Sequence, residues 1–288
     1  MTETLPNFIV IGAMKAGTTS LWQYLRKHPQ VFMSALKEPG YFTVERRWHL
    51  GRDWYASLFE EGTGKRAIGE ASTSYTKFPR FSGQPARMAA LIPDVRLIYL
   101  VRNPIERVRS HYVHNVAQGE ENVPIDRAIF ENPDYLDFSR YALQLEQYLN
   151  EFGDDQFLVL RSEDLKNDRR ASMQRIYDFL DIEDWDDPIL DKEFHGAGER
   201  RRPLTIEGRI RSLPGYSFLA SRLPRSTKKK ARRLTTKPVD VGSARVSEEL
   251  AARIMEELSP DLERLSSLTG IDTEAWRKRA DGRAETSP

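Results

Sequence analysis

The sequence predicts an α/β protein of three layers, in which helices cover both faces of a central, mostly parallel sheet. Short apolar runs of strand length alternate with amphipathic helical patterns along most of the chain. This alternation is typical of a parallel sheet built from strand and helix units. The length of 288 residues suits one such domain. In sheets of this kind, ligands bind beyond the carboxyl ends of the strands.

The N-terminal region is predicted to form a strand, a loop and a helix. Residues 5–11 are an apolar run of strand length. Residues 12–17 contain two glycines and predict a turn. Leu21, Trp22 and Leu25 then follow at helical spacing, so a helix is expected directly after the turn.

A second strand is predicted over residues 95–101, where an apolar run ends at Arg102. Asn103 is a residue type that caps helices, and Pro104 suits the first helical position. The pattern therefore predicts a helix that begins directly after this strand.

Two further strands are predicted. Residues 156–160 form an apolar run that precedes a helical pattern over residues 169–180. Residues 66–68 form a shorter strand that ends just before Glu70. If this strand belongs to the same sheet, Glu70 follows it at the ligand-binding edge.

The C-terminal third departs from this rhythm. Residues 204–246 contain weak apolar patches and a basic run from Lys228 to Arg233, and we predict a mobile insertion. A helix is predicted over residues 247–258, followed by Pro260 and a second helical pattern. The predicted organisation is one domain over residues 1–288, with a core over about 5–205, the variable basic insertion over about 204–246 and C-terminal helices over 247–280.

The composition excludes several classes of function. There is no cysteine, which excludes disulfides, thiolate catalysis and cysteine-ligated metals. Lys and Arg number 44 against 43 Asp and Glu, so no overall field attracts the chain to nucleic acid or to a membrane. The first apolar run is too short to cross a bilayer. We therefore expect a cytoplasmic protein without a nucleic-acid partner or transmembrane segment; its oligomeric state is not predicted.

The loop after the first strand has the features of an anion site. A strand, a glycine loop and a helix together direct backbone N–H groups and a helix dipole to one point. Gly12 and Gly17 are five residues apart, as in the phosphate loop of nucleoside triphosphatases, but Thr18 stands where that motif has lysine. The lysine is Lys15, inside the loop, so the fold is predicted to be P-loop-like with an altered loop. A plain connecting turn is the simpler alternative.

Arg102 and Ser110 are candidates for a second phosphate contact. Arg102 ends a strand, whereas triphosphatases commonly place a magnesium-binding aspartate at the end of a neighbouring strand. A cation at this position favours phosphate binding by protein charge, with no metal expected. Ser110 lies about two helical turns further on. Taken singly, either residue has an equally good structural interpretation as a cap or a surface group.

With these residues in view, the sequence resembles the PAPS-dependent sulfotransferases, which use 3'-phosphoadenosine-5'-phosphosulfate as donor. Residues 12–20 (GAMKAGTTS) match the 5'-phosphosulfate loop of that family, and residues 102–110 (RNPIERVRS) match its 3'-phosphate motif. Residues 37–42, 69–75 and 161–165 extend the resemblance, which covers about 7–205. The branch it resembles contains the Golgi carbohydrate and heparan sulfate sulfotransferases and their soluble bacterial relatives.

The resemblance implies a site for the donor. Residues 196–203 are the best match to the family's adenosine-side loop, although which arginine contacts phosphate is not determined. The implied donor-binding residues are Lys15, Ala16, Gly17, Thr18, Thr19, Ser20, Arg102, Ser110, Gly198, Arg200 and Arg201. The implied acceptor is a hydroxyl of a carbohydrate, a glycolipid or a small natural product.

Three residues are predicted to act in catalysis. Lys15 would meet the negative charge that grows on the departing phosphate oxygen. Glu70 would take the proton of the acceptor hydroxyl, with His111 and His114 as rival bases of lower rank. Lys37 would contact the sulfate, as its family match implies. Ala71 replaces the lysine that commonly follows the glutamate in Golgi glycosaminoglycan enzymes, so a polyanionic sugar chain is not a safe prediction.

Two alternatives to sulfuryl transfer remain open from the sequence. A nucleotide-dependent phosphotransferase would use the same kind of loop, but it requires the lysine that Thr18 replaces. A binding module for adenosine bisphosphate would retain the donor site without turnover. Binding of ATP with magnesium distinguishes the first alternative, and the effect of replacing Glu70 on transfer distinguishes the second.

Overall fold

Five parallel strands form the central sheet in the computed structural model, which describes residues 3–194, 201–203, 236–238 and 244–280. The strands are β1 (Phe8–Gly12), β2 (Val31–Met33), β3 (Ala67–Ala71), β4 (Arg96–Val101) and β5 (Phe157–Arg161). Their order across the sheet is β2-β3-β1-β4-β5, and every neighbouring pair is parallel. A separate antiparallel pair joins β6 (Arg201–Pro203) to β7 (Thr236–Pro238).

Helices flank this sheet and bury it. Every residue of β1 and β3 is buried, as are five of the six residues of β4, which is expected of strands covered on both faces. Among the described residues, the α-helices are α1 (Thr18–Leu25), α2 (Gly51–Ser57), α3 (Gln84–Leu91), α4 (Pro104–Gln118), α5 (Ile125–Glu131), α6 (Asp134–Asp137), α7 (Tyr141–Leu149), α8 (Ser162–Asn167), α9 (Arg169–Leu180), α10 (Glu248–Thr269) and α11 (Glu274–Ala280). The predicted three-layer α/β fold with a parallel sheet is confirmed.

Local sequence signals explain where the main elements begin. The Asn103 side chain accepts a hydrogen bond from the backbone N–H of Glu106, and Pro104 is the first residue of α4, as predicted. Helix α9 has the predicted bounds. The strands predicted over residues 5–11, 95–101 and 156–160 correspond to β1, β4 and β5, with ends that differ by at most three residues.

The C-terminal helices differ from the prediction at Pro260. Instead of ending before this proline, α10 runs for 22 residues with Pro260 inside it, so the predicted break is wrong. The helix continues because buried leucines on both sides of Pro260, Leu258 and Leu262, anchor it to the core, and this packing outweighs the loss of one backbone donor. Ser247 caps the helix by accepting from the N–H of Leu250.

The insertion predicted within the domain lies mostly outside the residues that the structure describes. The basic run from Lys228 to Arg233 lies outside the described residues, as does most of the predicted insertion over 204–246. The division into a core, an insertion and C-terminal helices therefore stays a prediction. In the described part of the chain, no helix has both the length and the apolar character needed to cross a bilayer.

Candidate active site

Three strand-to-helix connections meet at one edge of the sheet. The neighbouring parallel strands β1, β4 and β5 lead into α1, α4 and α8, so the N-termini of these helices lie at the same edge. The backbone N–H of Asn103, at the start of α4, donates to Glu163 Oε1 in the first turn of α8 at 2.8 Å. The convergence of helix N-termini makes this edge favourable to anions.

The loop between β1 and α1 has backbone geometry that requires its glycines. A Cβ on Gly12 would lie 2.0 Å from Thr76 Oγ1, so no side chain fits there. Gly17 has a φ of 96° and immediately precedes α1, which begins at Thr18. Lys15 also has a positive φ, of 71°. The N–H groups of Ser20 and Leu21 donate to the Gly17 carbonyl, whereas those of Thr18 and Thr19, at the very start of the helix, have no acceptor within it and can bind an anion.

Arg102, the residue predicted to make the second phosphate contact, lies against this loop. It follows the last residue of β4, and its Nη1 donates to the carbonyl oxygen of Lys15 at 3.1 Å. Its Nη2 lies 3.3 Å from a carboxylate oxygen of Glu106. The Tyr141 hydroxyl donates to the Arg102 carbonyl at 2.7 Å and holds the backbone at the strand end. Lys15 and Arg102, predicted to bind the two ends of one nucleotide, are therefore in direct contact, and Ser110 lies two turns further along α4.

The structure places Glu70 inside β3, which corrects the prediction that it follows a strand over residues 66–68. The strand runs to Ala71, and Glu70 pairs with Ile9 of β1. The strand was predicted too short because an acidic residue rarely continues a buried strand. It does so here because hydroxyl groups satisfy its carboxylate.

Three hydroxyls donate to the fully buried Glu70 carboxylate. Ser72 Oγ donates to Oε2 at 2.5 Å, while Tyr75 and Tyr55 donate to Oε1 at 2.7 and 3.1 Å. Burial raises the pKa of Glu70 to about 7, even though these hydrogen bonds lower it, and the negative charge of Glu38 adds to the increase. A carboxyl group with this pKa changes its charge near neutral pH, as a general base does.

Tyr55 is the member of this group that sequence reasoning missed. Ser72 and Tyr75 lie close to Glu70 in the chain, but Tyr55 belongs to α2 and is brought to the carboxylate by tertiary packing. Its ring stacks on that of Tyr41, with centroids 4.3 Å apart. No local pattern around Tyr55 marks this role.

The segment that carries Lys37 lies across the end of β3. The N–H of Glu38 donates to the Ala71 carbonyl at 3.0 Å, and the N–H of Gly40 donates to Ser72 Oγ at 2.8 Å. Lys37 Nζ lies 2.9 Å from Glu38 Oε1. Burial alone would raise the pKa of Glu38, but Lys37, the hydrogen bond from Thr73 and the charge of Lys77 together outweigh it, and the net shift is downward. The structure thus brings Lys37 to the same sheet edge as Glu70.

His111 packs as a core residue. Its ring lies 4.7 Å from that of Tyr135 and 5.7 Å from that of Phe138, and the residue is 4% exposed. Burial lowers its pKa to about 2, with Arg107 as the next cause. A histidine in this setting stays neutral and has a structural role.

Only part of the predicted adenosine-side loop belongs to the described residues. Gly198 and Arg200 lie outside the described residues; Arg201 begins β6, which lies against α4, the helix that carries Ser110. The chain enters this loop from beside α1, because Ser20 Oγ donates to the Phe194 carbonyl at 2.9 Å. The hydroxyl of Ser20, a predicted donor-binding residue, thus holds the chain just before the loop.

A parallel sheet, a lysine-bearing glycine loop and an arginine held against that loop define a class: three-layer α/β proteins with a P-loop-like fold. A family profile described as "Sulfotransferase domain" matches residues 5–193. The chain belongs to the sulfotransferase family.

Similarity to curated proteins agrees with this assignment. The chain is 30% identical over 202 residues to heparan sulfate glucosamine 3-O-sulfotransferase 3B1 of Mus musculus, covering 67% of this chain and 50% of that protein. It is 29% identical over 246 residues to carbohydrate sulfotransferase 15 of Rattus norvegicus, covering 62% and 44%. The chain thus spans about half the length of the curated relatives it matches.

Solved structures share the fold. A sulfotransferase from Alicyclobacillus acidocaldarius has a TM-score of 0.70 at 24% identity, covering 95% of this chain and 99% of that one. A sulfotransferase domain from the curacin biosynthetic pathway has a TM-score of 0.54 at 16% identity, covering 92% and 99%. At these identities the likeness concerns the fold alone.

Proposed function

We propose that this protein transfers a sulfuryl group from PAPS to a hydroxyl of a carbohydrate, a glycolipid or a small natural product. The observation that carries the proposal is the hydrogen bond from Arg102 to the Lys15 carbonyl, because it unites both predicted phosphate anchors in one site. The curated relatives are named as heparan sulfate and carbohydrate sulfotransferases, which supports a sugar hydroxyl as acceptor. Family membership favours this reaction over the nucleotide-dependent phosphotransferase.

The residues of the loop and of α4 would hold the donor. PAPS supplies the sulfuryl group on its 5'-phosphate and a second phosphate at the 3' position. The loop residues Lys15, Ala16, Gly17, Thr18, Thr19 and Ser20 would bind the 5' end with backbone N–H groups and the lysine charge. Arg102 and Ser110 would bind the 3'-phosphate, together with Gly198, Arg200 and Arg201 of the adenosine-side loop.

Glu70 would act as the general base. Its pKa of about 7 makes it an effective proton acceptor at neutral pH. Its carboxylate is fully buried behind the hydroxyls of Ser72, Tyr75 and Tyr55, so one of these side chains must move aside before the acceptor hydroxyl can reach it. The remaining two would keep the carboxylate oriented while it takes the proton.

Lys15 and Lys37 would supply positive charge to the reacting group. Lys15 would stabilise the charge on the departing phosphate oxygen, and Lys37, which lies across the end of β3 with Glu38, would contact the sulfuryl oxygens. In this scheme the protein itself neutralises the growing charge, so a metal-independent reaction is part of the proposal. The cytoplasmic location stays a prediction.

Replacing Glu70 tests the proposal. We expect Glu70→Gln to lower kcat at least about 100-fold, because an amide cannot accept the proton, while binding of adenosine 3',5'-bisphosphate is unchanged. The measurement is transfer of labelled sulfate from PAPS to a panel of p-nitrophenyl glycosides, with calorimetry for the bisphosphate. Lys15→Ala is the matched comparison and should weaken both. Full activity of Glu70→Gln would refute the role of Glu70, and failure of the wild type to bind the bisphosphate would refute the function.

A further inference from the structure

Two cations, Arg46 and Lys77, lie next to the Glu70 edge without an ion-pair partner among the described residues. Lys77 directly follows the 3₁₀ turn Thr73–Thr76, which begins two residues after β3 ends. Arg46 lies on the segment that crosses β3, where its Cδ is 3.0 Å from the position of a Cβ on Gly40. Gly40 donates to Ser72 Oγ, which in turn donates to Glu70, so Arg46 lies close to the proposed base.

Aromatic rings hold these cations in place. Lys77 Nζ lies 5.3 Å from the centroid of the Phe138 ring, and Arg46 Cζ lies 6.0 Å from that of Phe81. Arg80 Cζ lies 5.8 Å from the same Phe81 ring, but Arg80 also forms an ion pair with Asp134. Of these three neighbouring cations, Arg80 therefore has an ion-pair partner within the described chain, and the other two have none.

The electrostatics of Lys77 indicate that this arrangement costs free energy. Burial is the main reason that the pKa of Lys77 falls to about 8, and the positive charges of Arg46 and Arg80 contribute to the decrease. Glu38 and Asp134 act in the opposite direction without reversing the shift. Arg46 and Lys77 are both half-buried, form no ion pair among the described residues and are close enough to interact, so a bound anion would stabilise them.

We propose that Arg46 and Lys77 form a subsite for an anionic substituent of the acceptor, a carboxylate or a sulfate near the hydroxyl that Glu70 deprotonates. The inference rests on the proposed function and narrows the acceptor to an acidic sugar or a comparable acidic compound. A guanidinium fork beside an ammonium group fits either anion, the fork giving direction and the ammonium adding charge.

The acceptor is favoured over the donor as the source of this anion because of where the cations lie. The donor's two phosphates have their own cations, Lys15 after β1 and Arg102 after β4. Arg46 lies beside Gly40, whose N–H donates to Ser72, and Lys77 follows the turn after β3, the strand that carries Glu70. Arg46 and Lys77 therefore lie on the side of the site that holds the proposed base.

Matched glycosides test this inference. We would saturate the protein with adenosine 3',5'-bisphosphate and measure calorimetrically the binding of p-nitrophenyl β-D-glucoside, p-nitrophenyl β-D-glucuronide and p-nitrophenyl β-D-glucose 6-sulfate. We expect at least one acidic glycoside to bind about tenfold or more tightly than the neutral one. Arg46→Gln and Lys77→Met should each remove most of that preference, and Arg46→Lys should retain part of it. Arg80→Gln, on the same ring but paired with Asp134, is the control and should preserve the preference.

The outcomes separate this inference from the proposed function. If neither acidic glycoside binds the wild type more tightly than the glucoside, the subsite does not exist. If Lys77→Met weakens binding of the bisphosphate itself, Lys77 belongs to the donor site and the inference is wrong. If Arg80→Gln also loses the preference, the preference is a general effect of positive charge, and the inference is wrong. Melting temperatures of all variants establish that they are folded. Failure of the wild type to bind bisphosphate would instead refute the function on which the inference rests.

Discussion

Glu70 combines two properties that conflict at the scale of a single residue. Its carboxyl group is wholly buried, which disfavours the charged form, yet the proposed role requires that form at neutral pH. The hydroxyls of Ser72, Tyr75 and Tyr55 reduce this conflict without removing it, since the pKa still rises from 4.5 to about 7. The base is therefore held ready at the expense of the stability of the folded protein.

This conflict predicts a pH-dependent effect of Glu70→Gln on stability. Because the pKa in the folded state is above that in the unfolded state, the contribution of Glu70 to stability is full below pH 4.5 and is lost as the pH rises through about 7. Glutamine does not titrate. Relative to Glu70→Gln, the wild type should lose about 2–3 kcal/mol in its free energy of unfolding between pH 5 and pH 8. Urea unfolding at both pH values measures this, and equal pH dependence of the two proteins would contradict it.

The same residue should set the pH dependence of the reaction. Since the base must be unprotonated, kcat is expected to rise with pH and to level off above an apparent pKa near 7. A profile measured from pH 5.5 to 8.5 with saturating PAPS and acceptor gives this value directly. A rate that is already constant at pH 5.5 would show that a group of lower pKa takes the proton.

At the scale of elements, α10 supports the phosphate anchors from a distance. Helix α7 has no side-chain cap from its own preceding residue, Arg140. Asp261 of α10 supplies one instead by accepting from the N–H groups of Ala142 and Leu143 at 3.0 and 2.9 Å. The first residue of α7 is Tyr141, whose hydroxyl holds the carbonyl of Arg102. A carboxylate distant from the sheet edge thus helps to fix the arginine.

Removing this cap should destabilise the protein. Asp261→Ala leaves one buried and one partly buried N–H group without an acceptor, so we expect the free energy of unfolding to fall by about 1–3 kcal/mol. Glu256→Ala, at an exposed position of the same helix, should change it by less than about 0.5 kcal/mol. Denaturant unfolding compares the two variants. If both lose the same free energy, the cap is not responsible.

The elements most readily predicted from sequence are those whose signals are local. Strands β1 and β4 are apolar runs that end at a glycine loop and at Arg102, and α4 has its cap and proline adjacent in the chain. The three-residue strand β2 is too short to show a pattern and was not predicted. The uninterrupted course of α10 through Pro260 could not be foreseen, because packing against the core decides it.

In the candidate site, too, the residues in local motifs were predictable and those brought in by tertiary packing were not. Lys15, Arg102 and Glu70 lie in recognisable motifs, and their positions along the chain identified one edge of the sheet in advance. The enclosure of Glu70 was not predictable, since Tyr55 reaches it from a helix that precedes the strand. Arg46 and Lys77 were not singled out either, because an unpaired cation is apparent only when its neighbours in space are known.

At the scale of the whole molecule, attraction of the donor is a local matter. The formal net charge is only +1, so the field of the entire chain contributes little to donor binding. The attraction must therefore come from the cations at the sheet edge. Binding to the folded state alone raises stability in proportion to the logarithm of ligand concentration. The melting temperature therefore reports directly on the site.

Thermal shifts should follow the number of phosphates that the site can hold. At about 100 times its Kd, adenosine 3',5'-bisphosphate should stabilise the fold by about 2.7 kcal/mol and raise Tm by roughly 5–10 °C. Adenosine 5'-monophosphate at the same concentration should give a smaller shift, because it leaves Arg102 without a phosphate. ATP with magnesium is the control, and a shift with this pair alone would contradict the assignment of the loop.

The contact between Arg102 and the Lys15 carbonyl lowers the entropic cost of binding a nucleotide. An arginine already fastened to the loop does not have to be recruited when a nucleotide arrives, so little side-chain freedom is lost on association at that point. The same hydrogen bond connects the loop after β1 to the end of β4, so a displacement of the loop is transmitted to that strand end. In the proposed function, Arg102 would thus stabilise the loop as well as bind the 3'-phosphate, and its removal would weaken binding at both ends of the nucleotide.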